Sequence, residues 1–291
     1  MTVAARTQDR YPTRGTESAL MQREDPTVWP GVRSGPVRDE DLHTHEATGF
    51  HTVEGMLSPA EVQRYWQELE RLTQDPRIRA EERTVVEPGS DEVRSIFEVH
   101  RISDLIGELV AQPRVLDRAR QILGSDVYVH QSRINYMPGF RGNGFYWHSD
   151  FETWHAEDGM PEMRAVSMSI ALTDNYPYNG GLMIMPGAHR TFVSCVGRTP
   201  DGNYKSSLKE QRVGVPQEDD ITRLGYEHGI RQFTGRAGDA LWFDSNCMHG
   251  SGNNITPFPR SNVFVVFNSV ENALGEPFAA AQPRPTFVAA R

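Results

Sequence analysis

From Asp126 onward the chain is cut into short extended runs, and this texture limits the fold more than any other feature. Runs at 126–136, 144–150, 164–172, 181–186, 239–243 and 260–269, with weaker ones at 192–196 and 230–234, are separated by Gly, Pro and Asn. Many short strands at such spacing close into a sandwich or barrel. The expectation is a mainly β protein with flanking helices, built on a double-stranded β-helix (jelly-roll, cupin-like) core over residues 125–270.

Helices are expected before that core, over residues 38–124. Asp39 to Ala47 reads as a short helix closed near Gly49, and Phe50 to Val53 as a strand. Ser58-Pro59-Ala60-Glu61 opens a longer helix with a Ser cap, Pro at the first helical position and Glu completing a capping box. Val62, Tyr65, Trp66, Leu69 and Leu72 form its apolar stripe, and Asp75-Pro76 ends it. Residues 77–92 are charged and loop-like. Val93 to His100 reads as a strand, and Ile102 to Leu123 has helical spacing broken at Pro113 and stopped by Gly124. Residues 1–37 show no sustained period; they read either as an arm over the body, anchored by Tyr11 and Trp29, or as a partly disordered tail. The organisation is then an arm (1–37) and one domain (38–291). Residues 197–229 form a long charged connection, a lid or a rim insertion.

Composition excludes more than it selects. With 30 basic and 39 acidic residues the net charge is −9, and no Lys/Arg cluster stands out. No nucleic acid and no membrane surface is expected as a partner. Cys195 and Cys247 have neither metal-type spacing nor a disulfide framework, which suits a reducing, cytoplasmic location. Met1 to Arg14 lacks the apolar segment of a secretion signal, and the run Val263 to Phe267 is too short to span a bilayer.

The chemistry concentrates in Phe145 to His155 (FYWHSDFETWH). As a strand entering a loop, this stretch puts His148 and Asp150 on one face and Trp147 and Ser149 on the other. An imidazole and a carboxylate on adjacent rungs can bind one metal ion, and two His with one carboxylate form the facial triad of non-haem Fe(II) oxygenases. His249 fits as the second histidine, after the turn and strand Gly238 to Asp244. A lone His-x-Asp or His-Gly is weak on its own, and the other eight histidines are taken as structural or rim residues. Arg260, at the base of the apolar run Asn262 to Phe267, decides the matter. A guanidinium there can grip the distal carboxylate of 2-oxoglutarate bidentately, at roughly 1.5–3 kcal/mol per charge-assisted bond. With Asp150 as a ligand no position is left for halide, which points to hydroxylation.

Gly180 to His189 (GGLMIMPGAH) and Gly238 to Phe243 (GDALWF) resemble the phytanoyl-CoA dioxygenase superfamily. Phe145 to Pro161 and Gln131 to Tyr136 resemble its ectoine hydroxylase family closely, and the likeness covers nearly the whole chain. The resemblance implies an Fe(II)- and 2-oxoglutarate-dependent dioxygenase that uses O2 to convert ectoine to 5-hydroxyectoine, releasing succinate and CO2. That family makes compatible solutes that protect against osmotic and heat stress, and it implies a homodimer. It matches His148, Asp150 and His249 to the iron ligands and Arg260 to the oxoglutarate anchor. Asn135, Phe145 and Ser169 fall near the cosubstrate, and Gln131, Arg133 and Trp154 in the ectoine pocket. Met137 departs from the pattern, since the family often carries Lys there.

The substrate is consistent with the residues. Gln131, Arg133 and Asn135 share one strand face by period 2, a costly arrangement in a dry barrel but a sensible one in a polar pocket. Arg133 can pair with the ectoine carboxylate, Gln131 can bond the ring, and Trp154 can stack on the amidinium for roughly 0.5–2 kcal/mol. The competing expectations are a hydroxylase of another small amine or amino-acid-like substrate, and a non-catalytic jelly-roll binding protein.

Overall fold

The strand Arg260–Ser269 explains why the late apolar run is continuous rather than alternating. Val263, Val265 and Phe267 pack into one hydrophobic cluster, and Phe264 and Val266 into another on the opposite face. A central strand covered on both sides has no polar face. The same division holds in Ala240–Asp244, where Trp242 joins the first cluster and Leu241 and Phe243 the second.

The computed structural model describes residues 9–32, 34–87 and 91–291. Its larger sheet has seven antiparallel strands in the order Phe50–Val53, Ala240–Asp244, Ala165–Ala171, Arg260–Ser269, Val127–Met137, Val93–Phe97 and Thr84–Val86. A smaller sheet runs Arg231–Gln232, Leu182–Ile184, His249–Ser251 and Phe145–His148. Together they form a jelly-roll core, as expected, but it is not confined to 125–270: Phe50–Val53, Thr84–Val86 and Val93–Phe97 join the larger sheet from the earlier stretch. The helices Pro59–Gln74, Asp104–Ala111 and Pro113–Leu123 cover the outer face of the larger sheet through Tyr65, Leu69, Leu72, Ile106, Leu109, Val115 and Ile122. The Ser58–Glu61 capping box is present, and Gly49 and Gly124 close their helices in the left-handed conformation.

Two local expectations need correction. Residues 77–92 are not all loop: Pro76–Arg79 is a helical turn and Thr84–Val86 a short edge strand, with 88–90 outside the described residues. Three residues are too few for a period to show, and Val85 is held by tertiary burial with Phe97 and Val288. The strand from Val93 stops at Phe97, because Glu98 turns left-handed (φ 56°) into the helical turn Val99–Ile102. His249 lies on a late strand of its own, His249–Ser251.

The arm packs on the body within its described residues. Ala19–Gln22 pairs with Thr191–Ser194, and Tyr11 is buried edge-on to Phe151 with ring centroids 5.4 Å apart. Trp29 carries the Arg164 guanidinium over its ring at 4.4 Å. Residues 203–213 lie across the core, with Tyr204 bonded to Glu82 and Leu208 packed in the cluster of Phe97 and Val288. Cys195 and Cys247 are buried free thiols, and no helix among the described residues is long and apolar enough to cross a membrane.

Candidate active site

Antiparallel pairing of Phe145–His148 with His249–Ser251 sets His148 directly opposite His249. The His148 Nδ1 lies 2.7 Å from the Tyr146 carbonyl, and the His249 Nδ1 lies 3.0 Å from the Cys247 carbonyl. A carbonyl only accepts, so Nδ1 carries the proton in each ring and Nε2 presents its lone pair. Burial, with His249 alongside, holds the His148 pKa down to about 3, which keeps this imidazole neutral near pH 7.

Asp150 joins them by a different route from the one expected. The strand ends at His148, and Ser149 caps the short helix Asp150–Thr153, its Oγ accepting from the Glu152 N–H at 3.3 Å. Asp150 is therefore the first helical residue and not the next rung of a sheet. The hydroxyl of an N-cap competes for backbone N–H groups and turns the chain, a local effect that overrides period 2. The carboxylate still arrives: Asp150 Oδ1 is 3.7 Å from His148 Nε2, and ligand atoms of His148, Asp150 and His249 all lie within 4.8 Å of one another. Among the described residues this is the one such group. Two imidazoles and one carboxylate, all buried and each ring oriented by a carbonyl, fit a divalent iron.

Two cavities meet at this triad and share Arg133, Phe145, His148 and Leu208 in their walls. The first is lined by Arg260, Asn135 and Asn262 as well. Arg260 opens its strand opposite Met137 in the register. Its Nε has no hydrogen-bond partner among the described residues, and burial, with Arg94 nearby, lowers its pKa to about 10, leaving it charged near neutrality. A buried, unpartnered guanidinium is costly unless an anion reaches it. Asn135 accepts from Ser95 Oγ at 2.8 Å. Ser169 does not line the cavity; the Asn262 amide donates to its Oγ at 2.6 Å, so Ser169 acts on the cavity through Asn262. Met137, the departure from the family pattern, lines this wall.

The second cavity is lined by Gln131, Arg133, Asp150, Trp154, Glu157 and Arg284. Gln131 donates to the Val288 carbonyl at 2.8 Å, which ties the strand to the chain's C-terminal segment. Among the described residues Arg133 Nη1 reaches Gln131 Oε1 alone, at 3.4 Å, and its Nε is unpartnered. Burial, only partly opposed by Asp150, lowers its pKa to about 10. Trp154 is a core residue as well as a cavity wall, packed with Phe151 and Met160.

Sequence reasoning missed Asn262, Leu208, Glu157 and Arg284. Asn262 had a visible signal, a polar residue opening an otherwise apolar strand. Arg284 had none, since it reaches the cavity from the irregular tail, held bidentately by Asp158 (Nε to Oδ1 2.8 Å).

The family model for phytanoyl-CoA dioxygenase matches residues 45–262. The chain belongs to the phytanoyl-CoA dioxygenase family. A family relative named ectoine dioxygenase, from Nocardia farcinica, is 62% identical over 284 residues, covering 97% of this chain and 94% of the relative. The crystal structure of EctD from S. alaskensis with 2-oxoglutarate and 5-hydroxyectoine is 43% identical, with a TM-score of 0.88, covering 98% of this chain and 95% of that one. The same protein with bound Fe gives a TM-score of 0.86, covering 97% and 94%.

Proposed function

We propose that this family member is an Fe(II)- and 2-oxoglutarate-dependent dioxygenase that hydroxylates ectoine to 5-hydroxyectoine, with release of succinate and CO2. The observation that carries the reading is the convergence of His148, Asp150 and His249 beside a cavity lined by Arg260, whose Nε has no hydrogen-bond partner among the described residues. Likeness to proteins named for ectoine, and to a structure with 2-oxoglutarate and 5-hydroxyectoine, supports it.

His148, Asp150 and His249 would hold the iron. Bound iron and oxoglutarate together supply the oxidising power for O2 chemistry. The chain's own residues place the reactants. Arg260 takes the distal carboxylate of oxoglutarate, with Asn135 and Phe145 on the cavity wall and Ser169 orienting Asn262. In the second cavity Arg133 takes the ectoine carboxylate, Gln131 bonds the ring and Trp154 stacks on it. Leu208 and Phe145 supply apolar wall common to both cavities. Positioning of this kind is what an enzyme adds when a cofactor carries the difficult step.

The same reading takes residues 38–291 as one catalytic domain with an arm at 1–37, acting in the cytoplasm in osmotic protection. Buried free Cys195 and Cys247 support a reducing compartment. The protein is read as a homodimer, supported by the exposed apolar residues Phe140, Tyr178, Ile255 and Phe258; a monomer mass by light scattering removes that element. Purified protein given Fe(II), oxoglutarate and ectoine should form succinate and 5-hydroxyectoine in equal amounts. Succinate production with ectoine untouched would reject the substrate and keep the reaction class.

A further inference from the structure

Glu157 is a buried carboxylate on the wall of the second cavity. It belongs to the π-helical turn Trp154–Asp158, and both Trp154 and Glu157 line the same cavity. Single π-turns recur at functional sites. Asn203 Nδ2 donates to Glu157 Oε1 at 2.7 Å, and Arg14 Nη2 lies 3.2 Å from the same oxygen.

Arg14 is already committed elsewhere. It grips Glu152 bidentately, Nε to Oε1 at 2.6 Å and Nη2 to Oε2 at 2.8 Å. One guanidinium therefore serves two buried carboxylates, and one negative charge is left in excess. Arg284 is paired with Asp158, and Asp150 belongs to the metal site. Arg133 has no carboxylate within ion-pair distance among the described residues. The cavity thus holds a cation with no carboxylate partner, Arg133, and a carboxylate, Glu157, that shares the Arg14 guanidinium with Glu152. Buried charges that are unpaired or only half compensated are costly, and a ligand carrying both signs offsets the two together.

We infer that Glu157 is a specificity-determining residue that receives the delocalised cation of the substrate ring while Trp154 stacks against it. Arg14 and Asn203 are its positioning residues, so the N-terminal arm takes part in substrate selection. The inference rests on ectoine, a small zwitterion with an amidinium ring and a carboxylate, being the substrate. The arm's hold is tight: Thr13 Oγ1 donates to Glu152 at 2.7 Å, and a Cβ at Gly214 would lie 2.4 Å from Arg14 Nη2.

The test replaces Glu157 by Gln. The KM for ectoine should rise about tenfold or more, as loss of one desolvated charge pair requires. The KM for oxoglutarate, and the anaerobic absorption band formed with Fe(II) and oxoglutarate, should not change. A neutral six-membered cyclic amide bearing a carboxylate, used as a competitive inhibitor, should bind wild type and E157Q alike. Glu157→Asp should recover part of the ectoine affinity, and it replaces the Gln variant if thermal melting shows that the latter does not fold. Equal weakening of charged and neutral ligands, an unchanged ectoine KM in either variant, or a raised oxoglutarate KM would overturn the inference. If the wild type itself fails to bind ectoine, the substrate assignment falls first and takes this inference with it. Wild-type binding with an indifferent variant rejects the inference alone.

Discussion

His148 and His249 face each other across an antiparallel strand pair, with ring centroids 4.2 Å apart. Their Nδ1 atoms are both spent on backbone carbonyls, so the pair is oriented before any metal arrives. This preorganisation sets the expectations for the ligand variants.

Asp150→Ala removes the only anionic member of the triad. Iron retained after dialysis, measured by elemental analysis, should fall by one to two orders of magnitude, and 5-hydroxyectoine formation should cease. His249→Ala should behave alike. Full iron occupancy with continued hydroxylation in the Asp150 variant would remove that residue from the site.

Arg260→Met deletes the guanidinium on the wall of the first cavity. Loss of one charge-assisted bond, about 1.5–3 kcal/mol, should raise the oxoglutarate KM roughly 10- to 150-fold. Ectoine binding to the second cavity should change little. Arg260→Lys should recover only part of the loss, because an ammonium cannot reproduce the bidentate fork. Steady-state kinetics with each substrate varied in turn separates these outcomes.

Acid stability should be set by histidines away from the metal. His45, His51 and His189 are buried, and the His45 and His51 Nδ1 atoms are 3.1 Å apart, so one ring donates to the other. Burial, reinforced by Arg118 for His51, holds the pKa values of His51 and His189 down to about 4, and burial with His51 alongside lowers His45 well below its usual 6.5. For His51 and His189 the unfolded chain takes up the proton near 6.5 and the folded chain only near 4, and His45 acts in the same direction. Stability is therefore complete above 6.5 and lost as pH falls through that window, by on the order of 3 kcal/mol for each of His51 and His189 at its acid end. Melting temperatures from pH 7.5 to 4.5 should show the decline, and His51→Gln should make it shallower. A melting temperature flat over this range would reject the assignment.

Arg14→Met should destabilise the fold by about 3–5 kcal/mol, since it leaves Glu152 and Glu157 buried without their shared cation. Urea unfolding followed by fluorescence measures the shift. A midpoint within error of wild type would mean that the arm contributes no stability through this residue.

Much was legible because local physics leaves local marks. The capping box at Ser58, the stops at Gly49 and Gly124, and the continuous apolar strand from Asn262 each follow from backbone hydrogen bonding or two-sided burial, and each is present. Arg260 was legible as a charge where an apolar strand begins. The placement of Asp150 was misread because the Ser149 cap competes with strand periodicity over two residues, a contest that pattern alone does not settle.

Residue types, their order and the alternation of apolar positions determined that this chain would form a jelly-roll and carry a His, an Asp, a second His and an Arg in succession. Tertiary structure decided the rest. Only strand pairing could set His249 opposite His148. Only the return of the irregular tail and arm could place Arg284 on the second cavity and Arg14 against Glu157. These segments have no repeating backbone pattern, and their positions come from buried ion pairs and side-chain contacts between residues far apart in the chain, which leave no period to read.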